Sequence, residues 1–487
     1  MKIDDIMKSR TPWLDPRPSD ETDLAFLHDR LKAVGYDWKG VADILGTSLV
    51  SFAEFPGYMW RCQRDGSPRA RMISLWLLGE RLPRAEVNAV LGAEGVDVLL
   101  ERRILRQDGD QVSSLVDLYP CEDALVFTDH AFGVVRFKKH VYELGSDSYA
   151  VARMTPRKQV GQVLDLCTGS GIHAIMASRH AERATGVDIS DRALDFCRVS
   201  AALNGARTGT RYVQGNLYEA VSDERFDLVI ANPPWIAAPT PDLELYRWGG
   251  ETGEAITRRV VEGLPTHLNV GGTLSMFVIY PIIRGKAYLD RFREWLPSAG
   301  WGVAIAESPD ISLESFIRLH LEAREDWGRY LRECGEWMEA YARHDIERMG
   351  IGMAYVRRLP EGRPGWGAVK KMAMPRCDVA RHLERWLDGL ETYLDPAWQP
   401  AWDSWVPRVS EHIGRVWRDL HTGEGRAEFR SPWWGGPVEL AADELSLVEM
   451  LGRGDTAGQL AERWRNGPTA RAEVASLLAS LGAKEMV

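Results

Sequence analysis

The chain has 487 residues, which at roughly 150 residues per domain suggests about three domains and ample length to bury cores without a metal or disulfide staple. Hydrophobic residues make up 45% and charged residues 27%, which excludes a wholly disordered, collagen-like or membrane-embedded chain. Sixty Lys and Arg against seventy Asp and Glu give a net charge of -10, the opposite sign to that of proteins that grip long nucleic acid through its phosphates.

The first residues, Met-Lys-Ile-Asp-Asp-Ile-Met-Lys, are charged throughout, so no secretory signal is expected there. There is no uncharged apolar run of 18 residues, and hence no expected membrane span. The six cysteines (Cys62, Cys121, Cys167, Cys197, Cys334 and Cys377) form no Cys-x-x-Cys pair, and the histidines form no His-x-x-x-His pair. Reduced thiols, a cytoplasmic location and no metal site are therefore expected.

Leu24, Leu27, Leu31 and Val34 recur at helical spacing, with Gly35 as a cap. Further apolar-periodic stretches run from Ile73 to Leu78, Pro83 to Leu91 and Val96 to Leu105. A turn at Gln107-Asp108-Gly109-Asp110 and alternating Val112, Leu115 and Val116 follow. Helix, turn, helix and hairpin outline a winged-helix module. Without a basic recognition helix, an adaptor or substrate-docking role is favoured over DNA binding.

From about residue 145 the pattern becomes strand, Gly-rich turn, helix, repeated. Strands are expected at Val160–Cys167, Ala184–Ile189, Arg211–Gln214, Phe226–Ala231, Gly272–Tyr280, Trp301–Ala306 and Ile351–Arg358, with helices at Ile172–Ala181, Asp191–Asn204 and 251–266. This alternation predicts an α/β fold with a parallel, doubly wound, Rossmann-like sheet of seven strands and a ligand site at the strands' C-terminal ends. A charged helical insertion occupies 312–348, and a Pro/Gly stretch from Leu359 to Gly367 marks a boundary. The remainder reads as a helix over 376–394, a Pro-flanked aromatic link to Pro407, a hairpin around Thr422-Gly423-Glu424-Gly425, and helices at 443–452, 456–464 and 469–481.

The strongest local signal is Val163-Leu164-Asp165-Leu166-Cys167-Thr168-Gly169-Ser170-Gly171. A buried strand ends beside an acid, and two glycines then let backbone approach a ligand near a helix N-terminus. Alone, this loop fits NAD as well as other adenosine cofactors. Asp188 ends the second strand, where a carboxylate can accept ribose hydroxyls or, alternatively, cap the helix that Ser190 also introduces. The fourth strand runs into Asn232-Pro233-Pro234-Trp235. Two prolines make a rigid turn with exposed carbonyls. The Asn232 amide oxygen and the Pro233 carbonyl can each accept an N–H from a flat NH₂-bearing group, while Trp235 stacks on its plane.

With these motifs the chain resembles class I S-adenosylmethionine-dependent methyltransferases of the Asn-Pro-Pro-aromatic type. The Asp-Leu-Cys-Thr-Gly-Ser-Gly string is similar to that of the protein glutamine side-chain N-methyltransferases, which modify release factors and a ribosomal protein. Exocyclic-amine methyltransferases of nucleic acid share the overall pattern. The resemblance covers about residues 140–360 and implies a methyltransferase domain at 145–360, carrying the insertion 312–348. An N-terminal helical, winged-helix-like domain (1–144) and a C-terminal Trp-rich, mostly helical domain (361–487) flank it. It further implies S-adenosylmethionine as cofactor, held by Asp165, Cys167, Thr168, Gly169, Gly171, Asp188, Ile189, Asn216, Leu217 and Asn232, with Asn232, Pro233, Pro234 and Trp235 holding the target. Tyr149, in Gly145-Ser146-Asp147-Ser148-Tyr149, is assigned to the cofactor by similarity to a segment that folds over it in related enzymes. Cys167 stands where a further Gly is common, tolerable at ordinary backbone angles, and Asn216 where Asp is common.

The implied reaction is N-methylation of a planar amide or amine of a protein or peptide, which is favoured over nucleic acid as partner. Alternatives are a carboxylate or peptide O-methyltransferase of natural-product assembly, a base-amine methyltransferase, and a non-catalytic cofactor sensor. The loop at Tyr246-Arg247-Trp248-Gly249-Gly250-Glu251 is expected to wall the acceptor pocket. Tryptophan is over-used, with 19 copies, nine of them beyond residue 360. Most are expected to be packing residues, but Trp398, Trp402 and Trp405 fall in a Pro-flanked link suited to a binding surface.

Overall fold

The structure is a computed structural model and describes residues 24–51, 54–131, 139–241, 246–321, 326–375, 377–401, 403–410, 413–418, 425–429, 438–451, 454–464 and 469–484. Helices Ala25–Ala33, Trp38–Leu45, Phe55–Asp65 and Pro68–Trp76 come first. Two of them start on side-chain caps: Asp37 accepts from the Gly40 N–H, and Ser67 from the Ala70 N–H. Strand β1 (Leu82–Pro83), helices Arg84–Leu91 and Ala93–Glu101, and strands β2 (Leu105–Asp108) and β3 (Gln111–Ser114) follow, the strands forming a small sheet in the order β1-β3-β2.

A separate hairpin, β4 (Asp117–Cys121) with β5 (Ala124–Thr128), was not foreseen from the sequence. It is clamped to the helix Asp191–Leu203. The Leu125 N–H donates to Asn204 Oδ1 (3.0 Å), Asn204 Nδ2 donates to the Leu125 carbonyl (2.6 Å), and the Phe127 N–H donates to Ser200 Oγ (3.0 Å). Side chains of the N-terminal helices and this hairpin share one apolar core with Tyr149, Ile172, Ile175 and Phe196.

The main sheet comprises β6 (Val160–Leu166), β7 (Ala181–Asp188), β8 (Thr210–Gln214), β9 (Phe226–Ala231), β10 (Leu268–Ile283), β11 (Trp301–Ser312), β12 (Ile346–Arg358) and β13 (Trp366–Lys371). Its order is β13-β11-β12-β10-β9-β6-β7-β8. Two differences from expectation follow. The sheet is mixed, because β12 runs antiparallel to both β10 and β11. It also has an eighth strand, since β13 pairs in parallel with β11 from Gly302–Trp366 to Glu307–Lys371. The Pro/Gly stretch therefore ends inside the sheet. The insertion folds as helices Leu313–His320 and Trp327–Arg343 between two antiparallel neighbours, a connection that needs no crossover.

The helix Ala380–Tyr393 docks on the sheet through Trp386, which is buried with its ring edge-on to Tyr355 at 6.4 Å. Lys158 and Arg357 both reach Asp388 at its rim. Beyond it lie a three-stranded antiparallel sheet of Ile413–Arg418, Gly425–Phe429 and Val438–Leu440, and helices Ala442–Met450, Ala457–Trp464 and Ala470–Ala483. Residues 422–424 of the expected hairpin turn, together with Trp402, Trp433 and Trp434, lie outside the described residues. Trp398 stands edge-on to Trp405 (6.0 Å) and to Tyr393 (5.1 Å), and both tryptophans pack partly buried against the core. Both thus contribute to packing of the C-terminal elements, while remaining partly exposed. Trp386→Ala should cost about 3–5 kcal/mol in a urea titration, the usual range for emptying a Trp-sized site.

Candidate active site

Strand register assembles the site. Leu166 lies abreast of Val187 on one side and Ala231 on the other, so the residues that follow, Cys167, Asp188 and Asn232, leave the sheet side by side at its C-terminal edge. The loop after β6 turns through three left-handed residues: Cys167 (φ +57°), Gly169 (φ +55°) and Gly171 (φ +85°). It is pinned to β7, with the Thr168 N–H donating to the Val187 carbonyl (3.1 Å) and the Gly169 N–H to Asp188 Oδ2 (3.0 Å). A β-carbon on Gly171 would sit 3.1 Å from Cys197 Sγ, while Gly169 opens onto free space. Cys167 was expected to be tolerable at ordinary backbone angles. It instead holds a conformation that glycine adopts without cost, which explains why glycine is common there.

Asp165 lies beneath the loop, fully buried. Its Oδ2 accepts from Thr168 Oγ1 and from the Ala174 N–H (3.1 Å), whereas Oδ1 is buried with no protein partner. Burial pushes this carboxyl up to about 7; the two hydrogen bonds oppose the shift, and the charge of Asp188 adds to it. Asp188 accepts the Ser190 N–H on Oδ1 (2.9 Å), and Ser190 Oγ in turn accepts the Ala193 N–H (3.3 Å). The helix cap therefore belongs to Ser190, and Asp188 stands at the strand end. Ile189 beside it is 46% exposed. The Gly215 N–H donates to the Asp188 carbonyl (3.0 Å) and brings Asn216 alongside, with Asn216 Nδ2 donating to Glu219 Oε1 (3.0 Å). Leu217 turns its side chain into the core from a left-handed backbone (φ +57°).

After β9, Asn232 Nδ2 donates to Asp147 Oδ2 at 2.8 Å, and Asn232 Oδ1 is buried without a partner. Pro233 is buried and Pro234 half-buried. Trp235 is half-buried, edge-on to His320 (5.3 Å) and 6.1 Å from Phe277. The expected acceptor loop lies directly on this turn. The Ile236 N–H donates to the Arg247 carbonyl (2.8 Å), the Gly249 N–H to Ile236 O (2.9 Å), and Trp248 Nε1 to Ala238 O (3.2 Å). A β-carbon on Gly249 would come within 2.8 Å of Trp235 Cα, so only glycine permits this approach.

Several residues here escaped the sequence. The insertion helices buttress the turn: Tyr341 OH donates to the Ala237 carbonyl (2.8 Å), and Arg247 donates to the His320 carbonyl (2.8 Å). Burial, with Arg247 adding, drives His320 down to about 3, so it stays neutral near pH 7. Asp147 lies in the segment expected over the cofactor, but its bond to Asn232 was not expected. Tyr149, expected at the cofactor, is buried with its hydroxyl donating to the Pro120 carbonyl (2.7 Å), so it ties the helix Ser146–Met154 to the β4–β5 hairpin. Asp147, on the same helix, is the residue that reaches Asn232.

A family model described as a methyltransferase small domain matches residues 142–293, a span that holds every residue just described except Pro120, Tyr341 and His320. A ribosomal protein uL3 glutamine methyltransferase of Bordetella pertussis is 30% identical over 211 residues, covering 38% of this chain and 70% of that protein. The chain belongs to the protein glutamine methyltransferase family. Another such relative, from Bradyrhizobium diazoefficiens, is 35% identical over 164 residues (31% of this chain, 50% of that protein). A release factor glutamine methyltransferase of Geobacter sulfurreducens is 35% identical over 128 residues (23% and 44%). The chain thus spans about half the length of the first of these two. A second family model, described as a domain of unknown function, matches residues 33–115.

Removing the β-carbon from the strained loop position has a defined consequence. Cys167→Gly should raise unfolding stability by about 0.5–1 kcal/mol, the left-handed cost relieved less the added chain entropy, as measured by denaturant titration. An unchanged or lowered stability would contradict the strain.

Proposed function

We propose that this chain binds S-adenosylmethionine across the C-terminal ends of β6, β7 and β8 and methylates the side-chain amide nitrogen of a glutamine in a protein. The observation that carries the reading is Asn232: its NH₂ is engaged by Asp147, and its oxygen is left as a buried, unpaired acceptor beside Pro233 and Trp235. A primary amide brings two N–H donors. One suits Asn232 Oδ1 and the other the Pro233 carbonyl, while Trp235 bounds the amide plane. A carboxylate brings no such donors, which disfavours O-methylation. The substrates in the relatives' names, ribosomal protein uL3 and release factor, support the protein-glutamine part of the reading.

The residues present fit the cofactor. Asp165 Oδ1 is an orphaned acceptor, and the backbone at Gly169 is open to close approach. Asp188 would take the ribose hydroxyls, Asn216 the adenine amine, and Asp165 with the glycine loop the methionine end, with Cys167, Thr168, Ile189 and Leu217 shaping the walls. When bound, the group supplies a methyl already activated on a sulfonium. The chain's own contribution is alignment: two acceptors on the target's N–H groups draw its nitrogen toward tetrahedral geometry and free the lone pair. No dedicated base is needed, because the alkylated nitrogen is acidic. On this reading the N-terminal winged-helix-like part (1–144) and the C-terminal part (361–487) hold a protein substrate in the cytoplasm.

Methyl-labelled S-adenosylmethionine incubated with the chain and fractionated cell extract should place alkali-stable label in protein. Label in nucleic acid, or label lost at mild alkaline pH as from an ester, would overturn the assignment. Asn232→Ala should lower turnover by about 100-fold or more, near 2–3 kcal/mol of barrier by analogy with removing one preorganised hydrogen-bonding group, at unchanged cofactor affinity.

The raised Asp165 carboxyl makes a separate prediction. A cationic ligand favours the ionised acid, so binding expels its proton. Affinity should therefore rise as pH increases through about 7 and level off above it, and Asp165→Asn should flatten this curve in calorimetric titrations from pH 6 to 8. Without ligand the sign reverses. The folded value lies above the unfolded one of about 3.9, so the Asp165 contribution to stability is full below about pH 4 and is lost as pH rises through about 7.

A further inference from the structure

We infer that Asp147 is a positioning residue for methyl transfer: it fixes the rotation of the Asn232 amide so that the oxygen, and not the NH₂, faces the acceptor. The inference rests on the reading of Asn232 as the acceptor of the target's N–H. A primary amide is nearly symmetric in shape, and a half-turn about its last bond would present a donor where the reaction needs an acceptor. Something must break that symmetry. Asp147 does so because an ionised carboxylate only accepts, and so it binds the NH₂ end alone.

The carboxylate is itself held on several sides. It is 4% exposed, Oδ2 accepts from Asn232 Nδ2 (2.8 Å), and Oδ1 accepts from Tyr142 OH (3.1 Å). A backbone N–H of the same helix, at Ser148, also points to it. Space for the arrangement is specific. A β-carbon on Gly145 would lie 2.1 Å from the Tyr142 hydroxyl and 2.5 Å from Asp147 Oδ1. The Tyr142 ring stacks on Tyr246 (centroids 5.0 Å apart, 28° between planes), at the start of the loop that lies on the Asn232 turn. Tyr142, Asp147 and Asn232 thus form one hydrogen-bonded chain centred on a buried carboxylate, in which removing a link leaves an unpaired polar group. Burial works against the ionised form of Asp147, and the bonds from Asn232, Ser148 and Tyr142 oppose that cost.

Two measurements on the full chain test the assignment. The first is a double-mutant cycle in the labelled-methyl assay with extract protein. Asp147→Ala should cut turnover by about as much as Asn232→Ala while leaving the calorimetric affinity for S-adenosylmethionine within about twofold. The double variant should be no worse than Asn232→Ala alone. Losses that multiply would overturn the inference, as would full activity in Asp147→Ala. If Asn232→Ala itself retains turnover, the proposed function fails, and that failure is distinct from the present one.

The second measurement needs no turnover. The chain contains six asparagines, so selective ¹⁵N-asparagine labelling gives a short list of side-chain amide signals, with Asn232 assigned by its loss in Asn232→Ala. Its NH₂ protons should exchange slowly in the wild type and at least about tenfold faster in Asp147→Ala, as expected when a buried hydrogen bond is lost. Asp147→Asn keeps the shape without the charge and should fall between the two. Equal exchange in all three proteins would remove Asp147 from the role.

Discussion

The parallel pairing of β6 with both β7 and β9 is the constraint from which the site follows. Because Leu166, Val187 and Ala231 share one level of the sheet, the loop cysteine, the strand-end acid and the asparagine must emerge together. A slip of one residue in any of these pairings would turn that residue to the other face and scatter the group. The strands are buried and apolar along this stretch, Val163, Leu164, Leu166, Val187, Val229 and Ile230 among them, so their burial holds the register that the chemistry uses.

The turn after β9 poses a different problem. Pro233 and Pro234 have no N–H to donate, so the turn cannot stabilise itself by its own backbone bonds. Neighbours do it instead. Residues 247–250 pair with 236–238, glycine at 249 allows contact with the Trp235 backbone, and Tyr341 and His320 bring the insertion helices in from behind. The insertion therefore braces the turn from behind. Its antiparallel connection between β11 and β12 places it on the same edge of the sheet as the turn it supports.

Much of this was legible as local pattern. The strand, glycine loop and helix at 160–177, the Ser190 cap and the Asn-Pro-Pro-Trp turn each lie within a few residues of sequence, where period and turn chemistry speak directly. What escaped required the third dimension. Asp147 and Tyr149 are two residues apart on one helix, about 200° around it, so they face opposite ways, and only packing decides which meets the sheet. Tyr149 found the β4–β5 hairpin and Asp147 found Asn232. The left-handed angle of Cys167 is imposed by bonds from the loop to β7. Strand β13 was hidden because the Pro/Gly stretch before it reads as an ending, and an edge strand adds little periodicity of its own. Among the described tryptophans of the C-terminal part, Trp386 is buried and Trp398 and Trp405 pack partly buried against the same core.

Three acids, Asp147 and Asp165 buried and Asp188 half-buried, meet at one edge and are satisfied to different degrees. Asp188 accepts backbone N–H groups on both oxygens, and Asp147 is bonded on both of its own. Asp165 has a full complement on one oxygen and none on the other. A buried carboxylate left half-paired is costly in a stable fold, and proteins keep such groups where a ligand completes them. Asn232 repeats the pattern, with its donor end fixed and its acceptor end empty. The two unfilled atoms belong to the two positions where the proposed reaction needs a cation and an N–H. On the proposed reading, the fold carries the cost of desolvating these groups before either partner arrives, and this preorganises the site.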